Sequence, residues 1–179
     1  MNTAHKYKKP LVFASSQAAK YPENNFYAMT KWIGEQEAIR LNKKGANIKI
    51  LRFGNVYGGM GWEEKSSVVA MFRRRKEQDN PLLINGDGSQ KRDFIHVNDL
   101  CKAIWLALTC KETCSKPIDI GTGEMVSVKD VAKMFESSVL YDKKSDLVGV
   151  MENVADTTLA NELLKFKSSI SISKESIYL

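Results

Sequence analysis

No stretch of this 179-residue chain approaches the roughly twenty consecutive apolar residues that a bilayer-spanning helix needs. The first residues, Met1-Asn-Thr-Ala-His-Lys-Tyr-Lys-Lys9, lack the apolar core of a secretion signal. Cysteine is scarce: Cys101, Cys110 and Cys114 are spaced C-x8-C-x3-C, an odd number without paired zinc spacing. That excludes a disulfide framework and gives no reason to expect a metal. Reduced thiols are the expectation, and a cytoplasmic location follows by elimination. Repeats and low-complexity tracts are also absent, so one ordinary globular unit is expected.

Enough is present to build a core, since 43% of the residues are hydrophobic. Lys and Arg outnumber Asp and Glu 27 to 21, a net charge of +6. Part of the excess is local, at Lys6, Lys8 and Lys9 and in the run Arg73-Arg74-Arg75-Lys76. Anionic partners fit this balance. Without interleaved aromatics, the Arg73 run reads as the solvated outer face of a helix, not as a nucleic-acid site.

The chain alternates strand and helix signals. Leu11–Ser15 follows Pro10 as a short buried strand, and Ile48–Phe53 as another. A helix is expected over residues 26–44, closed by a basic turn and Gly45. Gly54 to Gly61 reads as a glycine-rich loop, and residues 66–78 as a helix capped by Ser66 or Ser67. Short strands are expected at 81–84 and 94–97, with an Asn85-Gly86-Asp87-Gly88 turn between them. Asn98 is expected to cap a helix to about Thr109. A strand at 117–121, a Ser127 capping box and a last helix capped by Asp156 complete the series. This alternation predicts an α/β fold with a mostly parallel sheet.

One segment carries chemistry. In Tyr27-Ala-Met-Thr-Lys31 a phenol and an amine lie one helical turn apart on one face. An ammonium beside a phenol favours its ionised form, as a general base requires. Eleven residues before Tyr27, the first strand ends in Ser15-Ser16, adding a hydroxyl. Taken alone, Tyr-x-x-x-Lys is also the spacing of an ordinary exposed helix pair. Its order after a strand and Ser-Ser narrows the reading.

Six segments in one order then resemble a family: Phe-Ala-Ser-Ser, Tyr-Ala-Met-Thr-Lys, Leu-Arg-Phe-Gly-Asn-Val-Tyr-Gly, Asn-Gly-Asp-Gly-Ser-Gln-Lys-Arg-Asp-Phe-Ile-His-Val-Asn-Asp-Leu, Ile-Gly-Thr-Gly and Ala-Asp-Thr-Thr-Leu-Ala. The chain resembles the extended short-chain dehydrogenase/reductases, and within them the NAD-dependent nucleotide-sugar epimerases and dehydratases. The likeness runs from about residue 2 to 167. It implies an incomplete Rossmann-like parallel sheet, the rear half, with a small α/β substrate-binding part. The Gly-x-x-Gly-x-x-Gly turn that cradles the dinucleotide pyrophosphate in the family does not occur here. Residues 1–60 would be the rear of the NAD-binding domain. Residues 61–179 would be mainly substrate-binding, with the strand near 117–121 returning to the first sheet.

The resemblance implies roles at matching positions. Tyr27 would be the catalytic base, Lys31 the holder of the nicotinamide ribose, and Ser16 the hydroxyl on the reacting oxygen, with Ser15 as competitor. Phe53 would line the nicotinamide. Asn55, Lys65 and Arg92 would contact the nucleotide-sugar, Arg92 by gripping its diphosphate. Arg92 could instead pair with Asp93 or Asp99, and His96 reads as a strand residue with a structural hydrogen bond. The implied cofactor is NAD, with NADP not excluded. The implied ligand is a UDP-, GDP-, dTDP- or ADP-sugar, and the full-length parent would be a homodimer.

Three departures matter. The loop from Gln17 to Phe26 is shorter than is usual in the family. Gln17-Ala18 stands where dehydratases place Asp-Glu, which argues against a 4,6-dehydratase. Met151-Glu152-Asn153-Val154 lacks an arginine that many members carry. The implied activity is nucleotide-sugar epimerisation, for example at C4 of a UDP-hexose, with the chain alone inactive. The alternatives are a reductase or dehydrogenase of the same family, or a non-catalytic nucleotide-sugar-binding remnant.

Overall fold

The computed structural model describes residues 1–59, 67–142 and 152–179. In chain order its elements begin with α1 (Asn2–Lys6), β1 (Leu11–Ser16), α2 (Phe26–Asn42), β2 (Ile48–Phe53), β3 (Asn55–Tyr57) and α3 (Val68–Glu77). Next come β4 (Leu82–Asn85), β5 (Lys91–Arg92), β6 (Phe94–His96), α4 (Val97–Thr109) and β7 (Ile118–Ile120). The series ends with β8 (Val126–Ser127), α5 (Val128–Met134), β9 (Val139–Asp142), β10 (Glu152–Asn153) and α6 (Thr158–Leu164).

β1, β2 and β7 form one parallel sheet in that order. Such a sheet is stable only when both faces are covered. Ile48 and Ile50 pack with Ala38 and Leu41 of α2 on one face. Alternation along the strand turns Leu51 to the other face, against Leu100, Ala103 and Ala107 of α4 and Ala160 and Leu164 of α6. Each Ile or Leu among them, fully buried, contributes about 1.5–3 kcal/mol.

A second core lies under the paired strands β4 and β9. There Phe72, Leu82, Ile84, Val131 and Phe135 pack together with Ile177 near the C-terminus. β3 pairs in parallel with β6, while β5 lies between β10 and β8.

The structure corrects several expectations. The glycine-rich stretch from Gly54 holds a strand, β3, because its partner 94–96 supplies the hydrogen bonds. His96, not Asn98, caps α4: its Nδ1 accepts from the Asn98 N–H at 3.2 Å. β6 ends at His96, so its imidazole meets the orphan helix N–H first. Its Nε2 is buried without a partner among the described residues, and burial pushes the imidazole pKa down. Gly58 beside it has φ +91, and a Cβ there would meet His96 Nε2 at 2.3 Å, so that approach requires glycine. The last helix is capped at Thr157, with Asp156 Oδ1 accepting from the Thr158 N–H at 3.1 Å.

Nor is the basic run a simple solvated face. Arg73 donates to the carbonyls of Gly59 and Ile177, Arg75 to that of Pro81, and Lys76 to that of Phe135. Arg73, by its bond to Ile177, and Lys76, whose ammonium lies 5.8 Å from the Tyr178 ring centroid, hold the C-terminal segment over the second core.

Candidate functional site

β1 and β2 end side by side, with Ser16 opposite Phe53 in parallel register and Phe53 opposite Ile120 of β7. In open parallel sheets, the crevice beyond the carboxyl ends of the strands is where ligands bind. A cavity of about 930 Å³ opens there. Ser16, Tyr27, Phe53, Asn55 and Arg92 all line it. Residues scattered over 77 positions of sequence are thus drawn to one wall system.

Tyr27 stands in the first turn of α2, whose start is fixed by Asn25: its Oδ1 accepts from the Ala28 N–H at 2.8 Å. The phenol is exposed. Lys31, one turn on, donates from Nζ to the Ala14 carbonyl at 3.0 Å. Its ammonium lies 5.6 Å from the Tyr27 ring centroid and 6.0 Å from that of Phe13. The lysine is tied to β1 and faces the tyrosine from its own helix.

The two serines part company. Ser15 is buried, and its Oγ donates to Glu35 Oε1 at 2.6 Å. Arg52 grips the same carboxylate from Nε at 2.8 Å and Nη2 at 2.6 Å. This bond to Glu35 raises the Arg52 pKa. Ser16 turns the other way, lines the cavity and accepts at Oγ from the Ala18 N–H at 3.2 Å. Alternation along β1 therefore gives Ser15 to the protein interior and Ser16 to the crevice.

The far wall is built on Asp93. Its Oδ1 accepts from Thr122 N and Thr122 Oγ1, each at 2.8 Å; its Oδ2 accepts from Gly123 N at 2.9 Å and Ala155 N at 3.1 Å. Gly121 must be glycine there, because a Cβ would come within 2.4 Å of Asp93 Oδ2. The Asp93 carbonyl accepts from Asn55 N at 2.8 Å, so one residue positions Asn55 and, as its neighbour, Arg92.

Arg92 Nη1 donates to the Lys91 carbonyl at 2.8 Å, and burial lowers the guanidinium pKa. Asp99 is occupied elsewhere, accepting from Ser169 N, Ser169 Oγ and Ile170 N. Asn153 of β10, opposite Arg92 in register, also lines the cavity. Lys65 lies outside the described residues.

Reading the sequence missed two lining residues. Gln17 and Gln90 each carry a buried Oε1 with no partner among the described residues. Gln17 was legible only as a departure from the Asp-Glu of dehydratases. No group of three or more His, Cys, Asp and Glu among the described residues is placed to hold a metal. Among them, too, no helix is long and apolar enough to cross a membrane.

Among the described residues, those that could hold a dinucleotide gather near the ends of β1 and β2. Tyr27 and Phe53 line the cavity, while Lys31 stands outside its lining, beside the Tyr27 ring and bonded to Ala14 of β1; a phenol, an apolar wall and a nearby cation suit a nicotinamide ribose. No glycine cradle for the pyrophosphate occurs in the chain.

Comparison with known proteins gives a consistent picture. The profile of the NAD dependent epimerase/dehydratase family matches residues 2–121. A Methanocaldococcus jannaschii protein, provisionally named a UDP-glucose 4-epimerase, is 33% identical, over 74% of this chain and 50% of its own. The dTDP-4-dehydro-6-deoxy-D-allose reductase of Streptomyces bikiniensis is 31% identical, over 84% of this chain and 48% of its own. The chain thus spans about half the length of the curated relatives it matches. Among solved structures, the UDP-glucose 4-epimerase of Thermotoga maritima superposes with a TM-score of 0.86 at 23% identity. That likeness covers 98% of this chain and 63% of that one, and shows the Rossmann-like α/β fold.

Proposed function

Since the chain belongs to the NAD-dependent epimerase/dehydratase family, we propose that it is the catalytic and substrate-binding portion of a nucleotide-sugar epimerase. The observation that carries this reading is the single cavity lined by Ser16, Tyr27, Phe53, Asn55 and Arg92. The relatives' names favour a UDP-hexose and reaction at C4, and one solved neighbour, at 26% identity, was determined with UDP-glucose and NAD.

In this proposal Arg92 and Asn55 hold the diphosphate, which a guanidinium fork matches well. Ser16 donates to the reacting sugar oxygen while Tyr27 takes its proton. Lys31, fixed on the Ala14 carbonyl, keeps a positive charge beside the phenolate that takes this proton and reaches the ribose. Phe53, at the cavity wall, would line the nicotinamide of NAD, which would supply the hydride acceptor and donor for the sugar carbon. Residues 1–60 supply the cofactor side and residues 61–179 mainly the substrate side. Exposed Phe26, Met29, Trp32 and Ile33 on α2 suit a homodimer of the longer protein.

The 179-residue chain by itself holds NAD too weakly for turnover, because it carries no pyrophosphate cradle. With added NAD and UDP-galactose, the purified chain is expected to form no UDP-glucose. A longer polypeptide that joins this segment to a strand, Gly-x-x-Gly-x-x-Gly turn and helix is expected to do so. In it, Tyr27→Phe slows the reaction about 10²- to 10⁴-fold while binding of the nucleotide-sugar is kept. Undiminished turnover by Tyr27→Phe would remove the base from its role.

A further inference from the structure

Gln17 is the residue of the cavity wall whose chemistry is left unfinished. It follows Ser16 directly and is only 4% exposed. Its Nε2 donates to the Arg52 carbonyl at 3.4 Å. Turning the amide over would set an oxygen against that carbonyl oxygen, so this contact fixes which end is which. The Oε1 is then buried, with no donor among the described residues. A buried acceptor without a partner is costly, and native structures rarely tolerate one without a reason. Gln17 lines the cavity, where a ligand can bring the donor that the protein lacks.

We propose that Gln17 is a specificity-determining residue whose Oε1 accepts a hydrogen bond from a hydroxyl of the hexose ring next to the reacting one. This deepens the nucleotide-sugar reading and rests on it. The position supports a sugar contact over a contact with the nucleotide. Gln17 adjoins Ser16 and, like Tyr27, belongs to the end of the cavity built by β1 and α2, whereas Arg92 stands on β5. The amide oxygen is neutral, so it reads a hydroxyl without adding charge to the site. A carboxylate there would add negative charge beside an anionic ligand and would offer an acid for elimination. Glutamine thus gives recognition without that second chemistry. Gln90 has a similar oxygen on the β5 side, but its side chain is only half-buried.

The test is calorimetry on the 179-residue chain with UDP-glucose and with UDP. In the wild type, UDP-glucose is expected to bind more tightly than UDP. Gln17→Leu and Gln17→Met keep the bulk and remove the acceptor. Each is expected to weaken UDP-glucose about tenfold and to leave UDP unchanged. Deoxyfluoro UDP-glucoses at C2, C3 and C6 identify the hydroxyl: one of them loses the same factor in the wild type and nothing further in the variants.

If both variants misfold, selective ¹⁵N-glutamine labelling of the wild type reads the same contact. The Gln17 side-chain amide must then shift with UDP-glucose and not with UDP. Equal losses for UDP and UDP-glucose, or no loss, would overturn the proposal and point to an ordered water as the partner, with the nucleotide-sugar reading intact. Failure of the wild type to bind either ligand would overturn that reading together with the proposal.

Discussion

Asp93→Asn is expected to destabilise the chain by about 4 kcal/mol and to lower its melting temperature by about 10 °C. The side chain is 1% exposed, and four donors converge on its two oxygens. Asparagine keeps one oxygen and turns an NH₂ toward two of these donors, which then face no acceptor there. Either the two half-buried Thr122 donors or the N–H groups of Gly123 and buried Ala155 then lose this acceptor. Because the Asp93 carbonyl also sets Asn55, whatever folded protein remains is expected to bind UDP-glucose more weakly. Asp87→Asn is the control: that carboxylate is exposed and bonds only its neighbour Ser89, so its melting temperature stays within a degree or two. A melting temperature for Asp93→Asn equal to the wild type's would show that the hub does not hold the three segments together.

Glu35→Ala is expected to cost about 3–5 kcal/mol, read as the midpoint of a urea titration. The carboxylate is fully buried and joins three elements: Ser15 of β1, Arg52 of β2 and its own helix α2. Removing it leaves a partly buried guanidinium without its close partner, and desolvation of that charge makes the loss large. The remedy is diagnostic. Combining Glu35→Leu with Arg52→Met removes both charges, and is expected to recover most of the loss, since the pair itself gains little over apolar packing. If the double variant is as unstable as Glu35→Ala, then packing of α2 on β1 and β2, not the charge, is what the single change destroyed. Ser16 and Tyr27 flank this triad, so it also fixes the strand and helix that carry them.

What the sequence disclosed follows from the range of the interactions. The Tyr27 and Lys31 pairing is set within one helical turn, β1 opens on the apolar run Leu11 to Ala14, and β2 carries Ile48, Ile50, Leu51 and Phe53 within six residues. All are local signals, and they predicted the fold class and the segments on which the cavity is built. The two-residue strands β5, β8 and β10 had no such signal: Lys91 and Arg92 become a strand because Glu152 and Asn153, 61 residues away, lie on one side and Val126 and Ser127 on the other.

Asp93 looked like an ion-pair partner for Arg92 because the two are neighbours. Its actual partners are 29 to 62 residues distant. The Arg73 run was misread for the same reason: nothing near it discloses that the carbonyl of Ile177 docks there. Ser16 and Ser15 were told apart only by the buried Glu35, which claims Ser15.

The most direct test of the account is a titration of the 179-residue chain with UDP-glucose, followed by tryptophan fluorescence and calorimetry, in wild type and Arg92→Ala. The account predicts saturable, one-to-one binding in the absence of NAD, weakened about tenfold or more in Arg92→Ala, as loss of a charge-assisted phosphate contact requires. Absence of binding by the well-folded wild type, or equal affinity in Arg92→Ala, would contradict the claim that this cavity is built to grip a nucleotide-sugar diphosphate.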